Sequence, residues 1–409
     1  MTVYDVCIIG GGASGLIAAI SAKRTRPNSN ILIIEKNDRV GKKLINTGNG
    51  RCNITNTDIS ADRYYSSNES FFEYFSGFSL NDTKVFFESI GVLLKEEENG
   101  KIYPYSLQAS SVLDALRYEC ERLLVEIHCS ERVEKFEKVG NDFKISTNLS
   151  SYMSSAVIIA AGGAASDKLG GCRDGYNFLK QYSHSCTALY PCITAVKTEL
   201  AQIKALKGIK SDVNLTLKVG KNKKSEFGEI LFTEYGLSGP PVLQLSQMLE
   251  GSSNDAQFII DFMPEYDFEN IVLLVKNRIF SVYEDKLENL FVGMLNKRIG
   301  QTVIKSAGFQ LSDSASKLNE KEIRAIVSKI KKFQLEVTGV RGFEYAQVTG
   351  GGIDISKFNN ETMQSELCKG LYACGEVLDI TGDCGGFNLQ WAWTSGYKAG
   401  LSAAKSIKR

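Results

Sequence analysis

A chain of 409 residues has room for two or three domains with substantial cores. At 43 % hydrophobic and 23 % charged, with a formal charge of +1, it has an ordinary globular composition and lacks the electrostatic footprint of a nucleic-acid or anionic-membrane binder. No apolar run is long enough for a membrane span, only two histidines occur, and the ten cysteines form no CxxC pair, which sets aside an anchor, a multi-histidine metal site, a zinc site and a disulfide framework.

Val3 to Ile9, VYDVCII, has the continuous apolar character of a buried parallel strand. It runs into Gly10-Gly11-Gly12-Ala13-Ser14-Gly15 and then into LIAAISAK, an Ala- and Leu-rich helix. Ile31 to Ile34 is a second apolar strand, and Glu35 stands at its end, twenty residues after Gly15. This is the spacing of a dinucleotide-binding βαβ unit. Gly10 permits the tight turn, Gly12 lets the backbone approach a pyrophosphate, and Gly15 lets the helix pack closely on the strands. The helix start at Ala13 and Ser14 offers N–H groups and a positive dipole end to phosphates. Glu35 can accept hydrogen bonds from adenosine ribose hydroxyls. The motif announces a dinucleotide without naming it.

Lys36 to Asn53, KNDRVGKKLINTGNGRCN, is too rich in glycine, asparagine and lysine for a regular element. A loop leaving the second strand of such a fold passes beside the cofactor. Lys36, Lys42, Lys43 and Arg51 bring positive charge there, Gly48 and Gly50 leave the backbone open, and Thr47, Cys52 and Asn53 complete the candidate contacts. From Phe71 to Ile90 aromatic residues recur at helical spacing and read as core. Gln108 to Leu124 is an amphipathic helix with Ser110 or Ser111 as its cap, and Val125 to Cys129 a third parallel strand. Glu131 to Lys138 and Phe143 to Thr147 form a hairpin about Gly140-Asn141-Asp142. Ala156 to Ala161, AVIIAA, is a buried strand ending in Gly162-Gly163. No second GxGxxG follows it, so no dedicated nicotinamide domain is visible.

Between Thr194 and Val340 the character changes. Val213 to Val219 alternates as a half-buried strand, Lys221 to Lys224 is a solvated basic turn, and Glu229 to Thr233 and Phe258 to Phe262 are further strands. Asp267 to Lys332 is largely helical. The region reads as an inserted β-rich domain with a helical part nested within it. The final stretch returns to cofactor chemistry. TGGGID (349–354) precedes a strand that leads to Gly375, Glu376 and Asp379, and Gly385-Gly386-Phe387-Asn388-Leu389 opens a helix to about Ile407. A second glycine-opened helix can aim N–H groups at another electronegative atom, such as a flavin pyrimidine carbonyl. Asp379 is placed for a ribityl hydroxyl. This far end supplies the flavin half that an NAD-only fold lacks, which names the cofactor as FAD.

Five segments carry a resemblance over most of the chain: IIGGGASGLIAA (8–19), GKKLINTGNGRCNITN (41–56), AAGGAAS (160–166), GEILFTEYGLSGPPVLQLS (228–246), and TGGGID with LYACGEVLDITGDCGGFNLQWAWTSG (349–354 and 371–396). In these the chain resembles the BaiN/YhiN-type flavoproteins, NAD(P)/FAD-dependent oxidoreductases of the two-dinucleotide-binding-domain superfamily. The resemblance implies an α/β fold: a glutathione-reductase-like FAD-binding Rossmann domain with an inserted barrel-like β subdomain and a nested helical one. The implied limits are 1–193 with 341–409, 194–262 with 333–340, and 263–332. It also implies that Val133 contacts the adenine through its backbone, that Ala161, Gly162, Gly163 and Asp174 line the cofactor, and that Asp379 and the GGFNLQ turn face the ribityl chain and flavin. The chain departs from the family pattern at Glu234, where members often carry His, and at Cys172, where many carry Thr.

The expected activity is an FAD-dependent oxidoreductase with NAD(P)H as transient donor, reducing a conjugated C=C bond in a small or medium organic substrate such as a cyclic enone. Rival readings are an amine or amino-ketone oxidase using O2, a tRNA-modifying flavoprotein, and a non-catalytic flavin-binding sensor. Partners other than the small substrate, nucleic acid and membrane included, are not expected, and no oligomeric state is implied. A reducing cytoplasm is the expected compartment. His184, in QYSHSCTALYP, can protonate a carbanion or enolate, against a structural role beside Tyr182 and Tyr190. Glu234 and Tyr235, in the glycine-rich insert turn, are the other acid/base candidates.

Overall fold

The apolar run at the N-terminus forms strand β1 (Thr2–Ile9), whose residues Val6 to Ile9 are all buried. A strand covered on both faces needs no alternation, and the run shows none. The computed structural model describes residues 2–251 and 255–407; the expected domain limits at residues 1 and 409 lie outside them. The chain forms two compact units, one built from residues up to Tyr190 and from Val348 onward, the other from Pro191 to Gln347.

In the first unit, β1 is followed by helix α1 (Ala13–Thr25), β2 (Ile31–Ile34), α2 (Ala109–Arg122) and β3 (Glu126–His128). The hairpin β4 (Val133–Val139) and β5 (Asp142–Thr147) leads to β6 (Ser151–Ile159), and the C-terminal part adds β7 (Leu371–Ala373) and helix α3 (Phe387–Ser406). The sheet order is β3-β2-β1-β6-β5-β4, with β7 also on β6. β1, β2, β3, β6 and β7 run parallel, and only the pairings made by the hairpin are antiparallel. This is a Rossmann-type topology. Ile9, Ile34, Ile159 and Ala373 therefore end at one edge, and the next residues, Gly10, Glu35, Ala160 and Cys374, gather there. Ligands of open α/β sheets bind at that edge.

Helix α1 is made of small and apolar residues because it is buried on two sides, Leu16 to Ala22 being almost wholly enclosed. Its second neighbour is α3, about 30 Å long at 20 residues. The two backbones meet at Gly396 and Gly400, where an added Cβ would lie 2.4 Å from the Ser14 carbonyl oxygen and 2.0 Å from that of Ala18. Trp391 and Trp393 anchor α3 on either side, and each buried indole N–H is satisfied, by the carbonyls of Gly375 at 3.1 Å and Ile54 at 2.9 Å.

Two local expectations change. α2 starts at Ala109 with Gln108 at its N-cap and no side-chain cap; the Ser111 hydroxyl instead donates to the Gln108 carbonyl. The aromatic stretch divides into a short 3-10 turn, Phe71–Phe75, and a helix, Leu80–Ser89, capped reciprocally by Ser79 and Asp82.

The second unit holds a closed six-stranded barrel: Val196–Thr198, Gly236–Ser238, Asn222–Phe232, Lys210–Val219, Ala256–Asp261 and Phe333–Val340, in that order around it. Period-two alternation sends Val213, Leu215, Leu217, Phe258, Ile260 and Leu335 inward. The hairpin turn is tighter than the expected basic turn. Asn222 already pairs with Val219, so Lys223 and Lys224 belong to the strand. Helices Phe268–Arg278, Lys297–Ser306 and Glu320–Lys331 lie between the last two barrel strands in sequence. Asp267, Asn296 and Asn319 cap them through their side chains. Among the described residues no helix is long and apolar enough to cross a membrane.

Candidate cofactor site

The edge where the parallel strands end is built by close backbone approach. Gly10 has a φ of +111°, and a Cβ there would lie 2.3 Å from the Ala160 carbonyl oxygen. At Gly15 it would lie 2.0 Å from the Gly10 carbonyl oxygen. Gly12 is the opposite case, since nothing lies within 4 Å of its Cβ position. Gly12 is the N-cap of α1, no side chain caps that end, and no acid stands in the first turn, so the N–H groups around Ala13 and Ser14 keep their anion-binding character. Glu35 is buried beside this turn, accepting from the Gly11 amide at 2.9 Å and from the Asn37 amide and side chain at 2.8 and 2.6 Å. Its own amide donates to the His128 carbonyl, and its carbonyl accepts from Glu131, which fixes the carboxylate from both neighbouring segments. Lys36 is half-buried next to it. Val133 is buried at the start of β4, two residues from Glu131. Asp174 starts a short helix and is paired with Arg132 at 3.0 Å.

The loop after Glu35 is tied to the glycine turn by the Gly41 amide, which donates to the Gly11 carbonyl at 2.9 Å. Gly48, Asn49, Gly50 and Cys52 all take left-handed backbone conformations. Gly50 is open, as expected, but Gly48 is not: a Cβ there would meet the Asn53 amide at 2.9 Å and the Tyr103 ring at 3.3 Å. Thr47 turns its hydroxyl back to the Leu44 carbonyl. Arg51 stacks over the Tyr103 ring at 4.6 Å. Cys52 is wholly buried, and burial pushes its thiol up to about 12, so any contact it makes is through its backbone. Asn53 is also buried, and its Oδ1 has no hydrogen-bond partner among the described residues.

Four motif segments converge on Glu376. It accepts from Lys43 at 2.6 Å and from the Thr349 amide at 2.9 Å, and Gly163 leaves it room, since a Cβ there would be 2.4 Å from Oε1. Gly162 faces open space with a φ of +72°, beside Ala161. Gly375 has a φ of +76° and lies against Ser14, which joins the C-terminal segment to the start of α1. Asp379 is buried and accepts from the Ser67 hydroxyl at 2.5 Å and its amide at 3.2 Å. Gly385 and Gly386 have positive φ, and α3 begins without a side-chain cap. Phe387 is buried, Asn388 spends its side-chain amide on Gly382, and Leu389 is half-buried.

The acid/base candidates have the following surroundings. His184 is 3 % exposed, its ring stacks on Phe358 at 4.3 Å, and Nε2 lies 2.8 Å from the Ser365 hydroxyl. Burial, opposed by Asp354, holds it down at about 4, so it is neutral. Its stacking partner is Phe358, not the expected Tyr182 or Tyr190. Glu234 is exposed and paired with Lys207 at 2.6 Å, which keeps it ionised and lowers its proton affinity. The Arg341 guanidinium lies over the Tyr235 ring at 4.3 Å.

Sequence reasoning passed over Arg63, Tyr64, Tyr65 and Ser67. Tyr64–Tyr65 pairs antiparallel with Thr381–Gly382, so this segment runs alongside the stretch from Asp379 to Asp383. A two-residue strand has no periodicity to detect, and nothing in TDISADRYYSSNES marks it as a neighbour of residues more than 300 positions away.

The profile of the HI0933-like protein Rossmann domain matches residues 4–402. The 3-dehydro-bile acid delta(4,6)-reductase of Clostridium scindens is 33 % identical over 97 % of this chain and 98 % of its own. The ribosomal RNA dihydrouridine synthase of Haemophilus influenzae is 28 % identical over 97 % of this chain and 98 % of its own. That of Escherichia coli is 29 % identical, over 98 % and 99 %.

Proposed function

Since the chain belongs to the HI0933-like Rossmann-domain family and is an FAD-dependent oxidoreductase, we propose that it takes electrons from NAD(P)H and reduces a C=C bond conjugated to a carbonyl. The observation that carries this reading is the chemistry shared by two kinds of relative. A delta(4,6)-reductase acting on a 3-dehydro-bile acid saturates double bonds conjugated to a keto group, and a dihydrouridine is a uridine whose C5=C6 bond, conjugated to the C4 carbonyl, has been saturated.

The residues fit FAD. Two helices start uncapped on glycines, the α1 start opens on free space at Gly12, and a fixed carboxylate, Glu35, stands where a ribose is held. In this reading the start of α1 holds the pyrophosphate, Lys43 and Arg51 add positive charge, Asp379 takes the ribityl chain, and the backbone at Gly386 to Leu389 faces the pyrimidine ring. Bound FAD supplies the hydride chemistry. No second glycine motif follows β6, so nicotinamide and substrate use the same face in turn. Ten cysteines without a disulfide among them suit a reducing compartment such as the cytoplasm.

A small or medium enone is the favoured substrate, because a net charge of +1 offers little counterion release toward RNA. The two synthases support a second reading, a uridine within RNA. Steady-state rates at several fixed NAD(P)H concentrations test the shared-face reading: parallel double-reciprocal lines are expected, and intersecting lines would refute alternating occupancy. A rate with ribosomal RNA above that with a 3-oxo-4-ene steroid would move the assignment to RNA.

A further inference from the structure

The strand beside the flavin half of the site carries an unassigned charged cluster. Arg63, Tyr65 and Ser67 run antiparallel to Asp379–Asp383: Ser67 binds Asp379, the Asp383 amide donates to the Arg63 carbonyl, and the Tyr64 hydroxyl donates to the Phe387 carbonyl at the start of α3. This segment therefore touches the start of α3 directly. Tyr64 points into the core; Arg63 and Tyr65 do not.

The Arg63 guanidinium is held in place. Asp58 takes Nε and Nη2 at 2.7 and 2.6 Å, the buried Asp383 is 3.4 Å from Nη1, and the Phe387 ring lies 5.9 Å away. Asp383 is further stabilised by the Tyr65 hydroxyl at 2.9 Å. Of five guanidinium N–H donors, these contacts use three. The side chain is 42 % exposed, so a cation with unspent donors, fixed by two carboxylates, faces outward beside the start of α3. Asp58 and Asp383 offset the charge of the guanidinium, so what it offers an incoming oxygen is its remaining N–H groups, held in a fixed direction.

We propose that Arg63 is a substrate-binding residue that takes the carbonyl oxygen of the double-bond acceptor and holds the negative charge that develops on it. The inference rests on the conjugate-reduction reading. In that reaction a hydride, ultimately from NAD(P)H, forms a C–H bond at the β carbon. The π electrons of C=C shift so that the carbonyl oxygen becomes an enolate oxygen, and a proton from water then completes the α carbon. The double bond is reduced and the nicotinamide oxidised. The enolate charge is shared with the α carbon but lies mostly on the oxygen, and a preorganised guanidinium is suited to meet it there. Asp58 and Asp383 act as positioning residues.

The test uses the FAD-loaded protein and para-chlorophenolate, a planar anionic oxygen on a conjugated ring, titrated while following the flavin absorbance band. The wild type is expected to bind it, Arg63→Gln to bind at least about tenfold more weakly, the cost of one charge-assisted hydrogen bond, and Arg63→Lys to recover part of the loss. FAD content and thermal midpoint should be unchanged in both variants. Equal phenolate affinity in Arg63→Gln and wild type, or no spectral response in the wild type, would overturn the assignment. Arg63-dependent phenolate binding in a protein that reduces no enone or uridine would keep the oxyanion site and reject conjugate reduction.

Discussion

Glu35 shows how one residue type at one position becomes a site. Its carboxylate is oriented by the Gly11 amide and Asn37, and its backbone is held by His128 and Glu131. Glu35→Gln keeps the shape and removes the charge, so the dissociation constant of FAD should rise about tenfold, the cost of one charge-assisted hydrogen bond. Fluorescence titration of apo-protein measures this, and an unchanged affinity would remove Glu35 from ribose binding. His184 makes a prediction of another kind. Burial lowers its folded-state value to about 4, below the roughly 6.5 of an unfolded chain. The unfolded state therefore gains its proton first as pH falls. The stability tied to a neutral His184 is intact above about pH 6.5, erodes below it, and stops eroding near pH 4, for a total of roughly 3 kcal/mol. Urea midpoints of wild type and His184→Gln between pH 7.5 and 4.5 should diverge by that amount; parallel curves would show that the imidazole contributes no proton linkage.

At the scale of elements, the central contact is α1 against α3, and its closest point is Gly400 against the Ala18 backbone. Gly400→Ala raises intrinsic helix propensity by up to about 1 kcal/mol, yet its methyl would sit 2.0 Å from a carbonyl oxygen. Crowding should win, with a net loss of about 1–3 kcal/mol and weaker FAD retention, because both glycine-opened helix starts shift together. Urea denaturation with FAD release reads both, and a more stable variant would mean that the helices part without consequence. How much of this was legible in the sequence differs by element. The βαβ unit, the hairpin and the β6 strand were readable because long apolar runs, turn glycines and one acid fix them locally. The helix opened by GGFNLQ was readable as a helix for the same reason. The Tyr64–Tyr65 strand was not, because its partner is Thr381–Gly382 and its register is set by tertiary packing. Gly48 was read as open space and is instead a close approach to Asn53, a distinction that no single sequence contains. The Ser111 cap was misread because its hydroxyl satisfies a carbonyl outside the helix start.

On the scale of the whole molecule, the cofactor-binding unit is assembled from both ends of the chain, and four motif segments meet at Glu376. The barrel unit is spelled by alternation and closes without motif chemistry. Glu234 and Tyr235 lie in this unit, Glu234 paired with Lys207 and the Tyr235 ring lying under Arg341. The family makes the protein an FAD-dependent oxidoreductase. The most direct measurement is an anaerobic half-reaction sequence on the FAD-loaded protein. NADH or NADPH should bleach the flavin absorbance, and mixing the reduced protein with a 3-oxo-4-ene steroid should restore it, with one double bond saturated per flavin. A flavin that neither nicotinamide reduces, or one that only O2 reoxidises, would contradict conjugate reduction.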